Sequence, residues 1–265
     1  MCGIVGFIGT EDAVPVLLGG LRKLEYRGYD SAGLACVEAG GLALRRAVGK
    51  LGNLEQLVHQ QPLKTVLGVG HTRWATHGRP NEANAHPHTS ADGRLAIVHN
   101  GIVENYLALR AELQGQGVVF KSETDSEVLA HLISAEMAKG LDLTSAVRAA
   151  LKRVEGSYAL VAVSADDPER LVAARLGSPL VLGIGQGQNY IASDVPALLE
   201  HTREVVYLDD GEVVELRAKS WLVMDLDGKP RTKAIQRVTW DPIQAEKAGY
   251  KHFMLKEIYE QPRVI

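Results

Sequence analysis

The chain opens Met1-Cys2-Gly3-Ile4-Val5-Gly6-Phe7-Ile8, and the reading of that stretch decides the rest. If the initiator methionine is removed, Cys2 carries a thiol and a free α-amine on the same carbon. Cys2 is small, and trimming aminopeptidases tolerate small second residues. Reference thiol and α-amine pKa values lie within about one unit of each other, so near neutral pH the amine can take the thiol's proton at little cost. That is a nucleophile with its own base, the cysteine counterpart of the amine pairing in N-terminal threonine enzymes. Ile4, Val5, Phe7 and Ile8 predict an anchoring strand, and Gly3 and Gly6 leave the backbone unencumbered. The alternative is a small apolar residue buried at a strand start, and the stretch alone leaves both readings open.

The bulk composition sets bounds around this opening. With 265 residues and 46% hydrophobic content, the chain can bury a sizeable core. A formal net charge of −3 with no basic block argues against nucleic-acid binding. No apolar run reaches the roughly 18 residues of a membrane span, and the start lacks a signal peptide's charged and apolar regions. Two cysteines, Cys2 and Cys36, cannot build a disulfide framework and fit a reducing cytoplasm. The 27 glycines predict many tight turns and close backbone approaches.

Taken in order, hydrophobic periodicity predicts a helix over 10–22, a strand over 34–37 with Cys36 in the core, and a turn at Gly40-Gly41. A strand over 42–48 and a helix over 51–60 follow. The apolar run 66–70 leads into His71-Thr72-Arg73-Trp74-Ala75-Thr76-His77-Gly78, and a Pro- and Asn-rich stretch to Asp92 reads as irregular loop. A strand over 95–98 runs into His99-Asn100-Gly101. Helices are expected over 104–113, from Ser122 through Lys139 with a Thr124/Glu127 capping box, and over 144–154. From Ser157 the pattern is mostly strands, with Gly183–Gly187 as a hairpin turn rather than a phosphate loop. Strands at both ends with helices between them predict an α+β fold of antiparallel sheets covered by helices. One domain over 1–238 is the simplest division, with 239–265 as a connector.

Four polar clusters stand where apolar runs stop: 27–30, 71–78, 99–101 and 124–125. Such grouping suits a ligand pocket on a rigid scaffold. Arg73 offers a planar fork for a carboxylate, and Asp125 could hold an ammonium, so the two together would read the zwitterionic head of an amino acid. Asn100 and Gly101 offer a side-chain amide and an unhindered backbone N–H, the donor pair of an oxyanion hole. A surface ion pair for Arg73 and helix-start electrostatics for Asp125 remain alternatives. His71, His77, His86, His88 and His99 lie close in sequence, but their spacing matches no metal motif. His86 and His88 read as loop-organising groups.

The Cys2–Gly6 opening, Arg73-Trp74-Ala75-Thr76-His77-Gly78, His99-Asn100-Gly101 and Ser122-Glu123-Thr124-Asp125 together resemble the class II glutamine amidotransferases of the N-terminal-nucleophile hydrolase superfamily. Leu24–Gly33, Asn84–His88 and Lys256–Pro262 narrow the resemblance to the glutaminase halves of the glutamine–fructose-6-phosphate aminotransferases. The resemblance implies a four-layer αββα sandwich of two antiparallel sheets covered by helices. It implies that Cys2 attacks the side-chain amide of L-glutamine, with Asn100 and Gly101 stabilising the oxyanion. Arg73 should bind the carboxylate of glutamine and Asp125 its ammonium. Trp74, Thr76 and His77 should form a lid, with Arg27 and Gly28 close to the nucleophile. No cofactor and no metal are implied. The resemblance further implies sugar-isomerase domains beyond 239–265, absent from this chain, with fructose 6-phosphate as ammonia acceptor in a cytoplasmic homodimer. The competing expectations are the glutaminase of another class II amidotransferase, against which Tyr26–Gly33 and the terminal stretch argue, and a non-catalytic glutamine-binding module.

Overall fold

The computed structural model describes residues 2–74, 78–239 and 253–264. The opening stretch forms the strand Gly3–Ile8 (β1), which lies inside an eight-stranded sheet rather than at its edge. On one side β1 pairs with Leu67–Arg73 (β4), followed by Ser31–Glu38 (β2) and Gly41–Val48 (β3). On the other it pairs with Asn189–Ala192 (β10), followed by Val181–Ile184 (β9), Glu204–Tyr207 (β11) and Gln236–Arg237 (β14). A second sheet runs in the order Trp221–Asp225 (β13), Glu212–Leu216 (β12), Asp167–Leu176 (β8), Gly156–Ser164 (β7), Leu95–Val103 (β6) and His88–Thr89 (β5). Every pairing in both sheets is antiparallel.

The two-residue period of the strands sorts side chains into three apolar layers. In β1, Val5 and Phe7 pack with Leu17 and Leu21 of the helix Ala13–Lys23 (α1) and Leu54 of the helix Leu51–Gln60 (α2). Ile4 and Ile8 face the other way and join Val98, Val161 and Leu171 between the two sheets. The far side of the second sheet buries Ile97 and Leu160 against the helices Tyr106–Gly115 (α3), Glu127–Ala138 (α4) and Leu143–Leu151 (α5). The result is the αββα layering, with strands apolar on both faces. Truncating a fully buried residue such as Ile4 to Ala would cost about 2–5 kcal/mol. Among the described residues, no helix is long and apolar enough to cross a membrane.

Several local expectations shift. The first helix starts at Ala13, because the Asp12 side chain accepts the Val14 N–H at 3.2 Å and caps it there. β2, β4 and β6 run on through the polar residues expected to lie beyond them, so Ser31, His71, Arg73, His99 and Asn100 are strand residues. Polar side chains are tolerated at these strand ends where buried partners meet them: His71 meets Asn100, His99 meets Ser126, and Asn100 also meets Cys2 and Ser193. The expected capping box does not form. Glu127 accepts instead from the backbone N–H groups of Lys121 and Ser122, at 2.8 and 2.7 Å, while Thr124 Oγ1 pairs with His88 Nε2 at 2.9 Å. The tertiary partner on β5 outcompetes the local one. Trp221–Asp225 is a strand that periodicity missed. Cys36 is buried in β2, where burial first and then Glu38 and Asp12 push its thiol up to about 12.

Candidate active site

Cys2 continues the parity of Ile4 and Ile8, so it leaves the head of β1 on the side facing the second sheet. Its sulfur is held by the end of β4: the Trp74 N–H donates to Sγ at 3.2 Å, and the thiol lies 3.5 Å from the Trp74 carbonyl oxygen. Burial pushes the Cys2 thiol up from its ordinary value, against the lowering pull of the Trp74 N–H and the Arg73 and Arg27 charges. A thiol so placed needs a base to become a nucleophile.

The Cys2 carbonyl is gripped from two directions. Arg27 Nε donates to it at 3.2 Å, and Asn100 Nδ2 donates to it at 3.0 Å. Arg27 is fixed in turn by Asp194, whose Oδ2 lies 3.1 Å from Nη1 and accepts the Tyr26 hydroxyl at 2.7 Å. Asn100 sits on β6, so its bond to Cys2 ties the second sheet to the head of β1. Its Nδ2 also donates to Ser193 Oγ at 3.1 Å, and Ser193 Oγ accepts the Ile4 N–H at 2.7 Å. The Oδ1 of Asn100 lies 2.9 Å from His71 Nε2.

Next along β6, Gly101 adopts φ +141°. A Cβ there would lie 2.0 Å from the Ser157 carbonyl oxygen, so only glycine fits. Asp125, just ahead of α4, is 5% exposed, and its Oδ2 accepts the Val103 N–H from the end of β6 at 2.8 Å. Ser126 Oγ stands between Asp125 Oδ1 at 3.4 Å and His99 Nδ1 at 2.8 Å. Arg73 is 4% exposed and donates through Nη2 to the Gly78 carbonyl at 3.4 Å. Cys2, Arg73, Trp74, Asn100, Gly101 and Asp125 line one cavity. A thiol, a guanidinium and a carboxylate thus reach the same space from β1, β4 and the approach to α4.

Of the residues singled out in the sequence, these six meet directly, and Arg27 joins them through the Cys2 carbonyl. Gly28 lies against the backbone of Thr72 and Arg73. Trp74 is 45% exposed and packs edge-on to Tyr29 at 5.4 Å. Thr76 and His77 lie outside the described residues. Sequence reading missed Ser193, Asp194 and Ser126, and it gave His71 no specific role. Ser193 and Asp194 follow β10 with no motif around them, and only the pairing of β10 with β1 brings them in. Among the described residues, no group of three or more His, Cys, Asp or Glu is arranged to hold a metal. Instead, His86 packs its ring against His71 at 4.2 Å and His88 at 4.5 Å.

A cysteine at the head of a central strand, facing a second antiparallel sheet with helices outside both, defines the N-terminal-nucleophile amidotransferase class. The chain belongs to the glutamine amidotransferase domain family, which it matches over residues 55–248. Among curated relatives it is 55% identical to the glutamine–fructose-6-phosphate aminotransferase (isomerizing) of Thermus thermophilus and 49% identical to that of Aquifex aeolicus. Both alignments cover all of this chain but 43% and 44% of the relatives, so the chain spans less than half of their length. Among solved structures, it resembles the glutamine phosphoribosylpyrophosphate amidotransferase of B. subtilis complexed with ADP and GMP. The TM-score is 0.74 at 25% identity, covering 85% of this chain and 49% of that one.

Proposed function

We propose that this domain hydrolyses L-glutamine to glutamate and ammonia through a γ-glutamyl thioester on Cys2. The observation that carries the reading is the convergence of the Cys2 thiol, Arg73 and Asp125 on one cavity. An α-amino acid presents a carboxylate and an ammonium on one carbon, and Arg73 and Asp125 complement them. Two buried, opposite charges facing one space hold such a head group more tightly than exposed charges would.

With Met1 removed, the Cys2 α-amine takes the thiol proton as sulfur attacks the amide carbon. The tetrahedral oxygen is stabilised by Asn100 Nδ2, which exchanges one of its present hydrogen bonds for the oxyanion, and by the Gly101 N–H. The amine returns the proton to the departing ammonia. Water then cleaves the thioester and releases glutamate. Arg27 holds the Cys2 backbone, Gly28 permits its approach to β4, and Trp74 covers the bound substrate. In this reading residues 1–238 are the glutaminase domain and 239–265 lead towards sugar-isomerase domains. There the ammonia passes to fructose 6-phosphate in a cytoplasmic, homodimeric enzyme.

The test is glutamate release from L-glutamine, on protein whose intact mass distinguishes Met1-free from Met1-retaining chains. Turnover is expected in the Met1-free form alone, and Cys2→Ala should abolish it while glutamine still binds. Equal turnover in both forms would overturn the N-terminal mechanism. Unchanged turnover in Cys2→Ala would overturn the nucleophile.

A further inference from the structure

An asparagine amide has two unlike ends, and only the NH2 end can donate to an oxyanion. The role proposed for Asn100 therefore depends on which way its amide is turned. On one side lies the Cys2 carbonyl, which can only accept, 3.0 Å from Nδ2. Ser193 Oγ, 3.1 Å from Nδ2, takes the Ile4 N–H as well. On the other side Oδ1 faces His71 Nε2 at 2.9 Å. An oxygen lone pair at that distance requires a proton on Nε2. His71 is fully buried in β4 and packs its ring against His86 at 4.2 Å, so it has little freedom to turn away. Burial also holds it neutral, pushing it down to about 3, so the ring carries one proton to place.

We infer that His71 is a positioning residue for this reaction: as the Nε2–H tautomer it donates to Asn100 Oδ1 and turns the Asn100 NH2 group towards Cys2. In the opposite tautomer, two lone pairs would face each other between His71 and Asn100. Flipping the amide to relieve that contact would set its oxygen against the Cys2 carbonyl. The tautomer of a histidine on β4 thus selects the amide orientation on β6, and that orientation serves the nucleophile on β1. The inference rests on the oxyanion reading of Asn100 given above.

A double-mutant cycle on the Met1-free chain separates the two. Asn100→Ala is expected to lower kcat by about 10²–10³-fold, the usual loss for one oxyanion donor. His71→Leu should lower kcat by about tenfold or more, with the KM for glutamine held within about twofold. The double variant should be no slower than Asn100→Ala alone, because His71 then has nothing left to orient. If the two losses multiply, or if His71→Leu raises KM with kcat retained, His71 does not act through Asn100 and the inference falls while the oxyanion reading stands. If Asn100→Ala leaves kcat unchanged, the oxyanion reading itself fails and the inference falls with it. Should His71→Leu not fold, the ¹⁵N signals of the His71 ring in the unmutated protein decide the matter. Protonated Nε2 with bare Nδ1 is expected, and the reverse would overturn the inference.

Discussion

Gly28 lies in van der Waals contact with the backbone of Arg73: a Cβ built on Gly28 would sit 2.7 Å from the Arg73 carbonyl carbon and 2.9 Å from its oxygen. The backbone of Gly28 is extended, at φ −172°, so closeness rather than an unusual dihedral requires glycine. The contact lets the segment carrying Arg27 press against the end of β4, where Arg73 O also accepts the Asp30 N–H at 3.0 Å. Gly28→Ala should push Arg73 away from the cavity. We predict a fall in stability of about 1–3 kcal/mol, typical of overpacking, and a rise in the KM for glutamine larger than any change in kcat. Thermal unfolding and glutaminase kinetics on the same preparation check both.

Arg73 and Asp125 should behave as binding residues with different sensitivities. Arg73→Lys keeps the charge but loses the planar fork that matches a carboxylate. Asp125→Asn keeps an acceptor for the Val103 N–H and so spares the fold, while removing the charge. Each charged hydrogen bond is worth about 1.5–3 kcal/mol. KM for glutamine should therefore rise about 10–100-fold in either variant, with smaller effects on stability. Calorimetric titration of glutamine into the same substitutions in a Cys2→Ala background reports binding free of turnover.

Gly101→Ala tests the backbone of the proposed oxyanion hole. Its φ of +141° and the 2.0 Å approach to Ser157 O mean that a methyl group there collides with fixed backbone of β7. The β6–β7 pairing must open to accept it, at a cost of at least about 2 kcal/mol. Urea denaturation should show that loss, together with near-complete loss of glutamate release.

The histidine stack should make the protein sensitive to mild acid. Burial pushes His71 and His88 down to about 3, although the Asn100 bond raises the first and Glu127 the second. Burial, with the neighbouring His71 and His88 imidazoles, also holds His86 well below the ordinary imidazole range. In the unfolded chain, histidines titrate near about 6.5. Between the two values the unfolded state holds protons that the folded state refuses, so stability is fully present above about pH 6.5 and falls as pH drops towards about 3. Each such group contributes at most about 1.4 kcal/mol per pH unit in that window, and buried His99 is lowered by burial in the same sense. The urea midpoint measured at pH 7.5, 6 and 5 should fall steeply. Both ring nitrogens of His86 lack hydrogen-bond partners among the described residues, so His86→Leu should flatten the slope. An unchanged midpoint from pH 7.5 to pH 5 would refute this account of the stack.

The chemistry of the site was legible in the chain because residue type carries it. A second-position cysteine, an arginine fork, an Asn-Gly pair and a carboxylate ahead of a helix stood out as candidates, each with a structural alternative that the chain alone left open. The layering was legible too, since strands buried on both faces read as near-continuous apolar runs and helices as stripes. Strand ends were less so. Polar residues such as His71, Arg73 and Asn100 resemble loop when read locally, yet they continue β4 and β6 because their partners lie across the sheets.

The sequence by itself thus determined which groups could act and the alternation that points Cys2 at the second sheet. The tertiary structure alone decided how those groups are held. Asp194 reaches Arg27 from 167 residues away, Ser193 reaches Asn100 from 93, and His71 from 29. These meetings follow from the sheet order β10-β1-β4 together with the packing of β6 against it, and not from proximity along the chain. The direction of an amide or the tautomer of an imidazole depends on such partners, so it exists only once the sheets have packed.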